Sequence, residues 1–317
     1  MKTHRMATTL ALAIICNPIS LTAGEPKRID DSILRQTFDF AAPRSRDVQS
    51  FEMETRVITY GPDGKRVNTD VLRLWLTCTP GKDADQYTCR KFTVQFGNAP
   101  AVAVPAMANW TYPFKNTATG TDEKGQVFGI DHAKFEKLVD ANGQPLPADK
   151  AYYVYNAFID FHGFCNTFAE PTIEGKGIQD LKSIGRKIIH AAAFTEPPVN
   201  LGSNIAKGST FKNGEVTLEL KGLSMVDDAA CAIVAFDSGQ SSFQMIINPV
   251  PNMEVRAVGA SHYKGDLYID LATRWVRKVT MDELVVAEST VPTLPNKVNA
   301  VIERNTVIRN ISPRTGQ

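Results

Sequence analysis

The chain has 317 residues, with 35 Lys and Arg against 34 Asp and Glu. So even a balance sets up no strong field for nucleic acid or an anionic bilayer. A hydrophobic share of 43% with 21 Gly and 18 Pro excludes wholesale disorder, a collagen-like repeat and a coiled coil, and allows one large domain or two of ordinary size.

The chain opens on a secretory pattern. Lys2 and Arg5 precede an apolar run from Ala7 to Cys16, Pro18 breaks that run, and Leu21-Thr22-Ala23 offers a small residue for cleavage. The run is too short to span a bilayer, and no later one reaches 18 apolar residues, so no transmembrane segment is expected. Residues 1–23 therefore read as a signal peptide, and the mature chain as exported, periplasmic or extracellular, in a bacterium. A lipid anchor on Cys16 fits less well, because Ile15 is branched where that signal wants a small residue.

Residues 24–48 are polar, carry Pro26 and Pro43, and read as a leading arm. Period-two patterning then begins. Glu54 to Tyr60 alternates, Gly61-Pro62-Asp63-Gly64 is a turn, and Leu72, Leu74, Leu76 and Cys78 share one strand face. Arg90, Phe92, Val94 and Phe96 repeat the pattern. Further on, Asp131 is placed to cap a helix to about Ala141. Tyr152 to His162 is ambiguous; as a strand it would put Asn156, Phe158, Asp160 and His162 on one side. Gly177 to His190 has the pattern of a short helix.

The last third reads as short strands with a turn every 8–12 residues or so. They include Val216–Leu220, the buried run Ala229–Phe236, Met245–Ile247, Val255–Val258, Leu267–Leu271, Trp275–Thr280, Leu284–Val286 and Val298–Arg309. The fold class is mainly β, an antiparallel sheet as an open barrel or sandwich with a few short helices. A weak boundary near Glu196–Gly202 divides residues 49–196 from 197–317, as two β-rich halves or one continuous domain.

Signal cleavage leaves Cys78, Cys89, Cys165 and Cys231. An even cysteine count in an exported chain predicts disulfides, and four cysteines permit three pairings. The ten residues from Thr79 to Thr88 favour a Cys78–Cys89 bridge across a hairpin, which leaves Cys165–Cys231 as the second.

Phe236-Asp237-Ser238-Gly239 ends the buried run and resembles the Asp-Ser/Thr-Gly loop of aspartic proteases. In that chemistry two carboxylates share a proton and one activates water, so Asp237 would be one of the pair. The chain has no second such motif, and Asp, Ser and Gly also simply form turns. His262, Asp266 and Asp270 would share a strand face if Gly265 leaves the register unbroken, as a His/Asp metal set or as a solvated polar face. His132, His162 and His190 lack metal-ligand spacing. With no phosphate loop and no dinucleotide fingerprint, no cofactor is expected. The aromatic groups Trp110-Tyr112-Phe114 and Tyr152 to Phe164 suit a β core or the wall of a ligand site.

Residues 214–290 run strand, acidic turn, buried strand and strand, and then Gly265-Asp266-Leu267-Tyr268-Ile269-Asp270-Leu271. This stretch resembles the Gly-led hairpins of bacterial envelope proteins with an open β-barrel, similar to the periplasmic lipoprotein carriers. The resemblance implies a curved antiparallel sheet around an apolar cavity that holds acyl chains. The expected function is non-enzymatic: binding an apolar or amphipathic ligand such as a lipid, or a structural role in the envelope. The alternative is a hydrolase using Asp237 or the His/Asp set.

Overall fold

A computed structural model describes Ser32 and residues 37–117, 121–173, 175–197, 199, 206–250 and 253–313. The expected signal peptide, Cys16 included, lies outside the described residues.

Thirteen strands are present among the described residues: β1 (Gln49–Tyr60), β2 (Arg66–Thr79), β3 (Gln86–Gln95), β4 (Val102–Ala103), β5 (Trp110–Pro113), β6 (Lys187–Ile189), β7 (Thr210–Lys212), β8 (Thr217–Val226), β9 (Ala229–Asp237), β10 (Ser241–Val250), β11 (Met253–Asp270), β12 (Val276–Thr290) and β13 (Val298–Asn310). They form one sheet in the order β4-β3-β2-β1-β13-β12-β11-β9-β8-β6, with β5 on β3, β10 on β11 and β7 on β10. Every pairing is antiparallel, and the two ends of the order do not meet, so the sheet is open. β1 pairs with β13 from Phe51↔Asn310 to Tyr60↔Val301, which joins β1–β5 and β6–β13 in one sheet.

Alternation sets the faces. On β1, Phe51, Met53 and Val57 point to the core while Glu52, Glu54 and Arg56 face out. β8 turns into β9 through Asp227 and Asp228, both at positive φ, the backbone that a two-residue hairpin with right-handed twist requires. Two pairs of short strands expected from the sequence are each one long strand. β11 runs straight through Gly265, which faces Met281 on one side and Phe236 on the other, and β12 runs through Asp282 and Glu283.

The ambiguous segment is a helix, α1 (Ala148–His162), continued by a π turn at Gly163–Thr167 in which Phe168 N donates to Gly163 O at 3.0 Å. Its apolar residues pack inward because the sheet curves around it, while Asn156 and Asp160 lie on one face. Phe158 stacks on Phe92 of β3 with centroids 5.9 Å apart, Phe161 meets Phe51 of β1 at 5.1 Å, and Phe164 stacks on Phe236 of β9 at 5.1 Å. One helix thus touches strands from both ends of the order, so the sheet bends around it. A ring as fully buried as Phe158 stabilises by about 1.5–3 kcal/mol. The helix expected after Asp131 is a single 3₁₀ turn, His132–Phe135, with Asp131 Oδ1 accepting from Ala133 N. Ile178–Asp180 is likewise a 3₁₀ turn, and Lys187–Ile189 is strand β6.

The described part of the polar arm is pinned down. Phe38 and Phe40 are buried, and Arg44 pairs with Glu170 and lies 4.6 Å from the Trp275 ring centre.

The expected disulfides are absent: Cys78, Cys89, Cys165 and Cys231 are all buried thiols. In the β2–β3 register Cys78 faces Tyr87 and Cys89 faces Leu76, so the two are diagonal neighbours. That spacing is roughly 7–8 Å, beyond the roughly 6.8 Å limit for a disulfide. Cys165 sits in the π turn, while Cys231 lies on β9 facing Asp270 and Ser224 of the neighbouring strands.

Candidate functional site

Helix α1 divides the space inside the sheet into two compartments. Phe158, Phe161 and His162 fill the one against β1, β2, β3 and β5. His162 is fully buried and satisfied there. Its Nδ1 donates to Asn166 Oδ1 at 2.9 Å, and the Tyr112 hydroxyl donates to its Nε2 at 2.8 Å. The Asn166 amide fixes this tautomer, because its Nδ2 donates to Glu170 Oε1 at 2.7 Å and to the Tyr87 hydroxyl at 3.2 Å, leaving Oδ1 to accept. Burial pushes the His162 pKa down to about 4, so the ring is neutral.

The opposite face of the helix lines a cavity of about 290 Å³, open to solvent on one side. Tyr152, Tyr155, Asn156, Ile159, Asp160 and Gly163 recur at the three-and-four spacing of one helical face. The π turn carries the stripe on to Phe164, Thr167 and Phe168. The facing wall is Phe211, Met245, Tyr263 and Met281 from β7, β10, β11 and β12.

Among the described residues, the charged side chains on this lining are Asp160, Glu283 and Arg304. Arg304 Nη1 donates to Glu283 Oε2 at 2.6 Å, and Nη2 pairs with Asp160. The Asn156 carbonyl, oriented by the network, accepts from the two Nη atoms at 2.9 and 3.0 Å. Ser261 Oγ donates to the other Glu283 oxygen at 2.7 Å. All three ionic side chains are 10–15% exposed, enough to reach the cavity and no more. Burial raises the Asp160 pKa to about 6 against the pull of Arg304, with Glu283 adding to the rise.

The residues singled out from the sequence lie elsewhere. Asp237 and His262 come together on the outer face of the sheet, with His262 Nε2 2.8 Å from Asp237 Oδ1, and both are about half exposed. Asp237 Oδ1 also accepts from Gly239 N at 2.8 Å, and Gly239 takes a positive φ, so the motif is a turn joining β9 to β10. Burial raises the Asp237 pKa, but the Gly239 N–H and His262 outweigh it and hold the carboxyl below its ordinary range. Asp266 shares the outer face with His262, whereas Asp270 turns in at the strand end and accepts from Ala272 N and Thr273 N. No group of three His, Cys, Asp or Glu placed to hold a metal occurs among the described residues. Nor is any helix among them long and apolar enough to cross a membrane.

The sequence reading missed Glu283 and Arg304. The signal was available: Glu283 is in phase with Val279 and Met281, and Arg304 with Thr306 and Ile308, so each is a charge on a core-facing row.

Comparison with models of protein families and with curated proteins finds no match.

Proposed function

We propose that the chain is an exported, non-enzymatic binding protein that carries one small apolar or amphipathic molecule between α1 and strands β10–β13. The cavity is the observation that carries this reading. It is walled by aromatic and aliphatic side chains, with a few convergent polar groups at one place, as small-molecule sites are. A curved antiparallel sheet around an apolar space is also what the resemblance to lipoprotein carriers implies. At about 290 Å³ the cavity suits one short apolar body. The hydrolase alternative draws less support, because the partners of Asp237 are a histidine and a backbone amide rather than a second carboxylate.

Gly163 supplies the test. It lines the cavity at a helical φ of −55°, and a Cβ there would meet nothing within 4 Å. Gly163→Leu should fill the space without disturbing the fold. Wild-type protein should take up the apolar fluorophore N-phenyl-1-naphthylamine, and Gly163→Leu should bind it at least about tenfold more weakly. Failure of the wild type to bind, or equal binding by the variant, would sink the reading.

A further inference from the structure

We infer that the cavity selects amphiphiles with a cationic head, a primary amine or quaternary ammonium, over those with a carboxylate or phosphate head. This rests on the carrier reading above.

The argument is one of charge and of spare hydrogen-bond capacity. Two carboxylates, Asp160 and Glu283, stand against one guanidinium, Arg304, on the cavity lining. The floor therefore carries one more negative than positive charge when both carboxylates are ionised. Arg304 has little to offer an anion: each Nη already serves a carboxylate and the Asn156 carbonyl, which uses all four Nη hydrogens and leaves only the Nε–H outside the network. A carboxylate or phosphate head would have to displace one of these partners and would meet the other carboxylate at close range. An ammonium head would meet carboxylate oxygens directly and lower the uncompensated charge of a part-buried site.

The walls favour the same chemistry. Tyr152, Tyr155 and Tyr263 line the cavity beside the charged floor, and aromatic faces attract ammonium groups, more so away from water.

The test is a head-group series on one chain length: decylamine, decanol and decanoate, each displacing bound N-phenyl-1-naphthylamine at neutral pH. Decylamine is protonated there, as a lysine side chain is. It should displace the probe at roughly one tenth the concentration decanoate needs, with decanol between. The double variant Asp160→Asn/Glu283→Gln leaves Arg304 with neutral partners and should reverse the order of decylamine and decanoate. Displacement that ignores the head group, or that favours decanoate in the wild type, overturns the inference while the carrier reading stands. If the wild type binds neither the probe nor any of the three amphiphiles, the carrier reading falls and takes the inference with it. The wild-type series alone decides the matter if the double variant does not fold.

Discussion

Asp160 on α1 and Arg304 on β13 form an ion pair that joins the helix to the sheet across 144 positions of sequence. With Glu283 on the neighbouring strand, it makes the helix a fixed partition rather than a loose insert. Removing the cation alone would leave two buried carboxylates facing each other. Arg304→Met should therefore lower stability by about 3–5 kcal/mol, read from urea denaturation. Adding Asp160→Asn and Glu283→Gln to it should recover most of that loss. A cost below about 1 kcal/mol for Arg304→Met would show the pair to be surface-like.

The buried titratable groups set a pH profile with opposing signs. Burial lowers His162 and His190 from 6.5 to about 4, so between those values the unfolded chain binds protons that the folded chain does not. Stability from these two is complete above pH 6.5 and is lost as pH falls toward 4. Burial raises Asp160 from 3.8 to about 6, so its contribution is complete below 3.8 and is lost as pH rises through 6. The histidines outnumber the aspartate. The three groups together should cost about 2–3 kcal/mol between pH 7 and pH 5. His162→Gln should flatten that slope whatever it does to stability at neutral pH. Chemical denaturation at a series of pH values measures both.

The cysteines should behave as core residues. Burial pushes the thiols of Cys78 and Cys89 up to about 12 and raises that of Cys165 further, and none is in a disulfide. Alkylation of the native protein should leave all four unmodified, and alkylation in guanidinium should modify all four without prior reduction, as peptide mass mapping will show. A melting temperature that falls on adding reductant would contradict this.

Gly163 and Gly265 should respond in opposite ways. Gly163→Ala places its methyl in open space on a helical backbone and should be neutral or stabilising by up to about 1 kcal/mol. A Cβ on Gly265 would overlap the Thr280 carbonyl and press on the Phe236 ring at 2.8 Å. Gly265→Ala should cost about 1–3 kcal/mol, because the backbone of β12 has nowhere to move. Thermal unfolding of the two variants side by side is the check.

How far the fold was legible follows from which signals are local. Alternation at Phe51-Met53 and Leu72-Leu74-Leu76, and the apolar run Ala229–Phe236, locate strands because two-sided burial repeats within a few residues. Strand length was hidden. Gly259 and Gly265 in β11 and Asp282-Glu283 in β12 look like breaks, yet neighbouring strands hold the backbone straight through them. Tyr152 to His162 stayed ambiguous because its aromatics suit a strand as well as a helix, and only enclosure by the sheet lets a helix bury rings on the side that packs against β1 and β3. The cavity was hidden for the same reason. Asp160, Glu283 and Arg304 lie far apart in sequence, and their meeting depends on the order β11-β12-β13. Asp237 and His262 were each visible, but their contact is a product of the β9–β11 pairing.

The pairing of β1 with β13 puts the earliest and latest described strands side by side in the middle of the sheet rather than at its rim. Half of the hydrogen bonds that β1 can make wait for a segment synthesised some 250 positions later, after every other strand described. A nascent chain holding only the first twelve strands has two unjoined sheets and no enclosure for its helix. Such long-range closure is slow and comes late. Closing the sheet, and with it enclosing the helix, therefore waits on β13, the one strand that joins β1 to β12 among the described residues.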